Sequence, residues 1–142
     1  MLEGTELGEA LRKLAALISP GDAQVHVTIT GQPVELPSAT KHHLLRIAQE
    51  AITNAVRHAS AHTIAINLAY APDSIALSVT DDGCGFVPSA ALANGIGHFG
   101  LRGLRGRAGK INGDLQVDSA PGRGTTVSVT VSGPVSAYAH DR

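Results

Sequence analysis

Asp81-Asp82-Gly83-Cys84-Gly85-Phe86 sets two carboxylates and two glycines at the end of an alternating stretch, Ser74 to Thr80. Alternate side chains of a strand share a face. Ile75, Leu77 and Val79 therefore form an apolar row, and Asp81 is its next member. A carboxylate at the core end of such a row is costly to bury unless a donor meets it. Gly83 and Gly85 let the backbone turn sharply and lie close to a flat ring. A buried acceptor beside bare backbone suits a purine, whose exocyclic amine donates to the acid. A plain Asp-Gly turn between strands is the other reading of these residues.

A second set of candidate residues falls on one helical face. With about 100° per residue, Glu50, Asn54 and Arg57 lie within about 60° of one another. They stand opposite the apolar face of Leu44, Leu45, Ala48, Ala51, Ile52, Ala55, Val56 and Ala59, and His58 sits at the border. A carboxylate, an amide oxygen and a guanidinium suit a magnesium–polyphosphate. Magnesium is hard, prefers oxygen ligands and keeps several waters; Arg57 can pair with phosphate oxygens. The same face also reads as solvated, with Arg46 and Glu50 as an ordinary i, i+4 pair. Asn54 speaks against that reading, because asparagine is a poor helix-interior residue. A third element, Gly95 to Leu101, is a glycine-rich loop entering a helix, where free amides suit phosphate. It lacks the Gly-Lys-Ser/Thr ending of a Walker loop.

The elements that must hold these groups follow from periodicity. Leu7, Leu11, Leu14 and Ile18 predict a helix over 6–18, ended by Pro20-Gly21. Val25, Val27 and Ile29 alternate as a half-buried strand, and Val34-Glu35-Leu36 reads as a short return strand. Ser38 is a fitting N-cap for a helix to about His58. Ile64, Ile66, Leu68 and Tyr70 mark the next strand, joined to Ser74–Thr80 by a turn at Ala71-Pro72-Asp73. No period holds from Val87 to Phe99, the pattern of a lid. A short helix over 100–109 carries Leu101 and Leu104, and a strand over Asp114–Asp118 turns Leu115 and Val117 inward. The last strand, 125–131, has Val127, Val129 and Val131 inward, and Thr125 begins that row. Thr125 thus repeats the position of Asp81: a polar group at the end of a core-facing row.

Composition narrows the class. The chain has 142 residues, a formal net charge of −1, one cysteine and no tryptophan. That length fits one domain with a real core. Balanced charge gives no argument for nucleic acid or an anionic membrane surface. There is no spanning apolar run and no secretory pattern. The single Cys84 excludes an internal disulfide and fits a reducing, cytoplasmic compartment; packed as a small space-filler it needs no redox role.

The motifs together resemble the Bergerat-fold (GHKL) ATPases, the superfamily of gyrase, the Hsp90 chaperone and histidine kinases. Gln49 to Ala59 resembles the N box, Asp81 to Phe86 the first glycine box, Gly97 to Arg105 the second, and Pro121 to Val127 the closing Gly-Thr motif. "RIAQEAITNAVRHA", "GHFGLRGLRGRA" and "DSAPGRGTTVSV" are similar to the catalytic domain of sensor histidine kinases of the nitrate-sensor and DesK-like group. The resemblance implies an α/β (α+β) two-layer sandwich, with a mixed, mostly antiparallel sheet and about three helices on one face. It implies ATP and magnesium as ligands. Asp81 would accept from the adenine amine with Thr125 assisting through water, and Gly83 and Gly85 would line the base. Asn54 would hold magnesium and Glu50 would order it or its waters. Arg57 and His58 would approach the phosphates, capped by Gly97, Gly100 and Leu101.

It implies partners too: a phosphoacceptor histidine domain, a response regulator, and a homodimeric parent that can be membrane-anchored. Residues 1–22 are expected to be a helix and linker from an upstream dimerisation region, 23–132 the ATP-binding domain, and 133–142 a tail. No acceptor-histidine hairpin precedes residue 41, so the chain is expected to be an excised catalytic domain. His42 and His43 read as surface histidines opening the long helix. Gly106 departs from the group's pattern and costs about 1 kcal/mol of helix propensity, which predicts a short or mobile helix there. A serine kinase of the anti-sigma type, a non-catalytic nucleotide sensor and a plain α/β interaction domain are the alternatives.

Overall fold

The structure, a computed structural model, describes residues 5–18, 24–57, 61–84 and 101–132. In chain order these form α1 (Thr5–Ile18), β1 (Gln24–Thr30), α2 (Ser38–Arg57), β2 (Thr63–Ala71), β3 (Ser74–Asp81), α3 (Leu101–Lys110), β4 (Gly113–Ser119) and β5 (Thr125–Ser132). Gly85, Gly97, Gly100, His58, the expected lid and the tail lie outside the described residues.

The strands make one sheet in the order β1-β2-β3-β5-β4. β1 runs parallel to β2, and every other pair is antiparallel. A parallel pair needs a crossover, and α2 supplies it. The three helices among the described residues form one layer: α2 packs on β2 and β3, and it is flanked by α1 over β1 and α3 over β4. The other sheet face carries small and polar side chains such as Ala65, Ser78, Ser128 and Gln116.

The register explains the core. One inward row reads Val27, Ile66, Val79, Val127 and Val117 across the five strands, and the next reads Ile29, Leu68, Leu77, Val129 and Leu115. A slip of one residue would turn every one of these to the opposite face. The helices close over them with Leu7, Leu11, Leu44, Ile47, Ile52 and Leu104. Leu7, Leu11 and Ala15 of α1 belong to the same core as the sheet. α3 keeps ten residues despite Gly103, Gly106 and Gly109. Its buried Leu104 and Ala108, followed by Ile111, anchor one face at helical spacing, so packing outweighs the poor propensity.

Three expectations need correction. Val34-Glu35-Leu36 is not a strand; residues 32–37 are irregular and only Leu36 is buried. Pro33 and Pro37 lack backbone N–H groups, so three residues between them cannot sustain a ladder, and Leu36 serves as a core anchor leading into α2. Ser38 is not the N-cap but the first helical residue: the Pro37 carbonyl accepts the first bond, from the Lys41 N–H at 3.1 Å. His43 is half-buried, its Nδ1 has no hydrogen-bond partner, and burial followed by the charges of His42, Arg107 and Lys110 lowers its pKa.

Candidate functional site

At one end of the sheet the apolar rows give way to a mixed one. Val25 and Ile64 continue it from β1 and β2, but β3, β5 and β4 contribute Asp81, Thr125 and Ser119, each the direct register partner of the next. Asp81 and Thr125 are each only 8% exposed, although nothing in an apolar core asks for them. The two polar row-ends singled out by alternation therefore face each other across adjacent strands.

The surroundings of Asp81 are built from backbone. Its Oδ1 accepts the Gly83 N–H at 2.7 Å. Burial raises its pKa above the ordinary 3.8; the Gly83 N–H opposes this, the neighbouring Asp82 charge adds to it, and the Thr125 N–H again opposes it. Across the site the β4–β5 turn is tied down: the Gly122 N–H donates to the Cys84 carbonyl at 2.6 Å. Cys84 itself is exposed, so it is not the packed space-filler expected from composition. The Ser119 Oγ donates to the Gly124 carbonyl at 3.0 Å and lies 2.7 Å from the Thr125 Oγ1. A hollow of about 340 Å³ borders these strand ends. Asp81, Ser119 and Thr125 line it with Asp118, Arg123 and Gly124, so it takes in residues of both sheet faces.

Asp82 is a structural residue that periodicity did not reveal. It points away from Asp81's row, and its Oδ1 accepts the N–H groups of His62 at 2.8 Å and Thr63 at 3.0 Å. Those two bonds clamp the start of β2 to the end of β3, and they, led by the Thr63 N–H, lower the Asp82 pKa. A carboxylate whose folded pKa is depressed stabilises the fold above its unfolded pKa and loses that effect as pH falls through the folded value. Asp82→Ala is therefore expected to lower the melting temperature at pH 7. The gap to the wild type should close as pH drops below 3.8, and melting curves across pH check both points. A gap that stays constant with pH would show that the clamp is not electrostatic.

Glu50 and Asn54 share one face of α2, one turn apart, and both are half-buried rather than fully solvated. Asn54 has an interaction partner. Arg57 closes α2, and Leu101 opens α3. Glu50 and Asn54 offer one carboxylate and one amide oxygen, a hard-donor pair suited to magnesium when ligand oxygens and water complete the shell. Among the described residues no group of three or more His, Cys, Asp or Glu could hold a metal on its own. The residues present thus fit a metal that arrives with a polyphosphate.

Comparison with known proteins decides the family. The family model described as "Histidine kinase-, DNA gyrase B-, and HSP90-like ATPase" matches residues 39–134. The chain belongs to that family. The match includes α2 with Glu50 and Asn54, the Asp81 loop and the Thr125 strand. The nitrate/nitrite sensor protein NarX of Escherichia coli is 37% identical over 98 residues, covering 69% of this chain and 16% of that protein. The sensor histidine kinase LiaS of Bacillus subtilis is 32% identical over 133 residues, covering 92% of this chain and 35% of LiaS. The chain thus spans between about a sixth and a third of the length of these two relatives. In architecture it is similar to the blue-light activated histidine kinase of Erythrobacter litoralis, with a TM-score of 0.73 at 23% identity over 99% of this chain and 44% of that one. The GHKL fold that the motifs implied, an α/β sandwich with a mixed sheet under one helix layer, is the one observed. Among the described residues no helix is long and apolar enough to cross a membrane.

Proposed function

We propose that the chain binds magnesium–ATP and is the catalytic domain of a two-component sensor histidine kinase. The acceptor histidine is carried by a separate phosphoacceptor domain of a dimeric parent that can be membrane-anchored, with the catalytic domain in the cytoplasm. The observation that carries the reading is the buried Asp81–Thr125 pair at the end of an otherwise apolar sheet. Ionised Asp81 has a second oxygen beyond the one held by Gly83, and it accepts from the exocyclic amine of adenine. Thr125 assists beside it, and Gly83 and Gly85 bring backbone against the base. Asn54 holds the magnesium and Glu50 orders its waters. Arg57 and His58 meet the phosphates, over which Gly97, Gly100 and Leu101 close. Magnesium, when bound, offsets the charge of the polyphosphate.

The residues' work is positioning and charge stabilisation, which dominate phosphoryl transfer. The acceptor imidazole nitrogen forms its bond to Pγ as the bond from Pγ to the β–γ bridging oxygen breaks. ADP leaves with the electron pair, and the imidazole proton passes to a base on the acceptor domain. A response regulator then takes the phosphoryl group.

The test mixes the chain and γ-labelled ATP with a purified helical hairpin carrying the acceptor histidine. Label on the hairpin that is lost in acid and kept in base is the expected result. Acid-stable label would point to serine phosphorylation of the anti-sigma type. A nucleotide-dependent rise in melting temperature without transfer would make the chain a nucleotide sensor, and no rise at all would remove nucleotide binding altogether.

A further inference from the structure

We propose that Ser119 is a positioning residue that fixes the direction of the Thr125 hydroxyl and thereby selects adenine over 6-oxopurines. The inference rests on the reading that Asp81 and Thr125 face a purine. A serine hydroxyl has one proton, and that of Ser119 is committed to the Gly124 carbonyl at 3.0 Å. The 2.7 Å contact between Ser119 Oγ and Thr125 Oγ1 must then use the proton of Thr125. The Thr125 hydroxyl therefore turns lone pairs, not its proton, toward the site. Asp81 is an acceptor as well, and its Oδ1 is already held by Gly83.

Two acceptors now stand side by side at the base of the site, on register-paired residues. Such an edge asks the ligand for donors. Adenine supplies them through its amine, and a water between Thr125 and N1 can give one proton to each. Hypoxanthine and guanine present a carbonyl oxygen in place of the amine. That oxygen is repelled by Asp81 and finds no proton on Thr125. Without Ser119 the Thr125 hydroxyl is free to rotate and donate to the carbonyl, so part of the discrimination disappears. Ser119 needs no contact with the nucleotide to act in this way.

The test measures the affinities of ATP and ITP for the wild type, Ser119→Ala and Ser119→Thr by calorimetry. One neutral hydrogen bond gained or lost changes affinity by about three- to tenfold. The ATP-to-ITP affinity ratio is expected to fall by about that factor in Ser119→Ala, mainly because ITP binds more tightly. Ser119→Thr, which keeps a hydroxyl, should restore the wild-type ratio. In a Thr125→Ala background Ser119→Ala should leave the ratio unchanged, because Ser119 acts only through Thr125. Equal weakening of both nucleotides by Ser119→Ala would make the residue merely structural and overturn the proposal. So would a further change of ratio in the Thr125→Ala background. Failure of the wild type to bind either nucleotide would instead sink the purine-site reading, and this inference with it.

Discussion

Asp81→Asn is expected to abolish the rise in melting temperature that ATP gives the wild type, while the ligand-free variant melts at the same temperature or higher. The two effects have one origin. The carboxylate is nearly buried, and its pKa in the folded chain is raised above 3.8, chiefly by burial. A group with a raised folded pKa contributes stability fully below its unfolded pKa, and that contribution is lost as pH rises through the folded value. At neutral pH the ionised Asp81 therefore works against the fold, and an amide of the same shape removes that cost. The amide cannot replace both oxygens. One oxygen of Asp81 accepts from Gly83, and the other is the one turned to the adenine amine. Asparagine has one carbonyl oxygen. If it keeps the Gly83 bond, its NH₂ meets the adenine amine donor to donor; if it flips, its NH₂ meets the Gly83 N–H. Losing a charge-assisted bond and gaining a donor clash predicts an affinity loss of about a hundredfold or more. Scanning fluorimetry with and without ATP, and calorimetry at pH 7, read both effects. The ligand-free difference between variant and wild type should shrink as pH falls through the raised folded value and vanish below 3.8, where the wild-type carboxylate is protonated in both states. Unchanged ATP affinity would remove the purine-pocket reading. A fall of ligand-free stability would mean that the Gly83 bond outweighs the burial cost.

What alternation in the chain makes legible is which side chains share a face. It is enough to put Asp81 and Thr125 at the ends of inward rows, because Asp81 follows and Thr125 precedes three apolar residues at spacing two. It does not give pairing. That Asp81 lies directly opposite Thr125 is a property of the β3–β5 register, set by the whole apolar face. Ser119 carries the same signal as the other two, since it follows Leu115 and Val117 in their row. Ending that strand at Asp118 hides it, and one more residue of ladder reveals the third member of the polar row. Asp82 carries no such signal. It accepts from amides about twenty positions away in sequence, and nothing local separates it from the ordinary aspartate of an Asp-Gly turn. Val34-Glu35-Leu36 fails for the opposite reason, because alternation over three residues is too short to tell a strand from a loop with one buried anchor. On α2 the helical period finds Glu50 and Asn54 together but overstates their exposure, since both are half-buried. It also leaves Ile47, which is buried, off the apolar face.

Gly124→Ala is expected to cost about 2–4 kcal/mol of stability and to disable nucleotide binding, whereas Gly122→Ala should cost about 1 kcal/mol and leave binding intact. The two glycines have nearly the same backbone conformation, with φ of +77° and +79°, so the strain of placing a Cβ in the left-handed region is common to both. Their surroundings differ. A Cβ on Gly122 meets nothing within 4 Å, whereas a Cβ on Gly124 would lie 2.2 Å from the Asp81 carbonyl oxygen and 3.3 Å from the Asp82 Cα. Both obstacles are backbone, and the first belongs to a residue register-paired with Thr125. A flexible side chain could swing aside; this carbonyl can move only by opening the end of the β3–β5 pairing. Relief of the clash must therefore separate Asp81 from Thr125, and it moves the carbonyl that receives the Ser119 proton. Denaturant unfolding of the two variants isolates the close-approach contribution as their difference, because the shared φ cost cancels. Equal losses in both would show that the turn yields without disturbing the strand ends. A Gly124→Ala variant that is destabilised yet binds ATP normally would show that the purine contact does not depend on how closely β3 and β5 meet at that end.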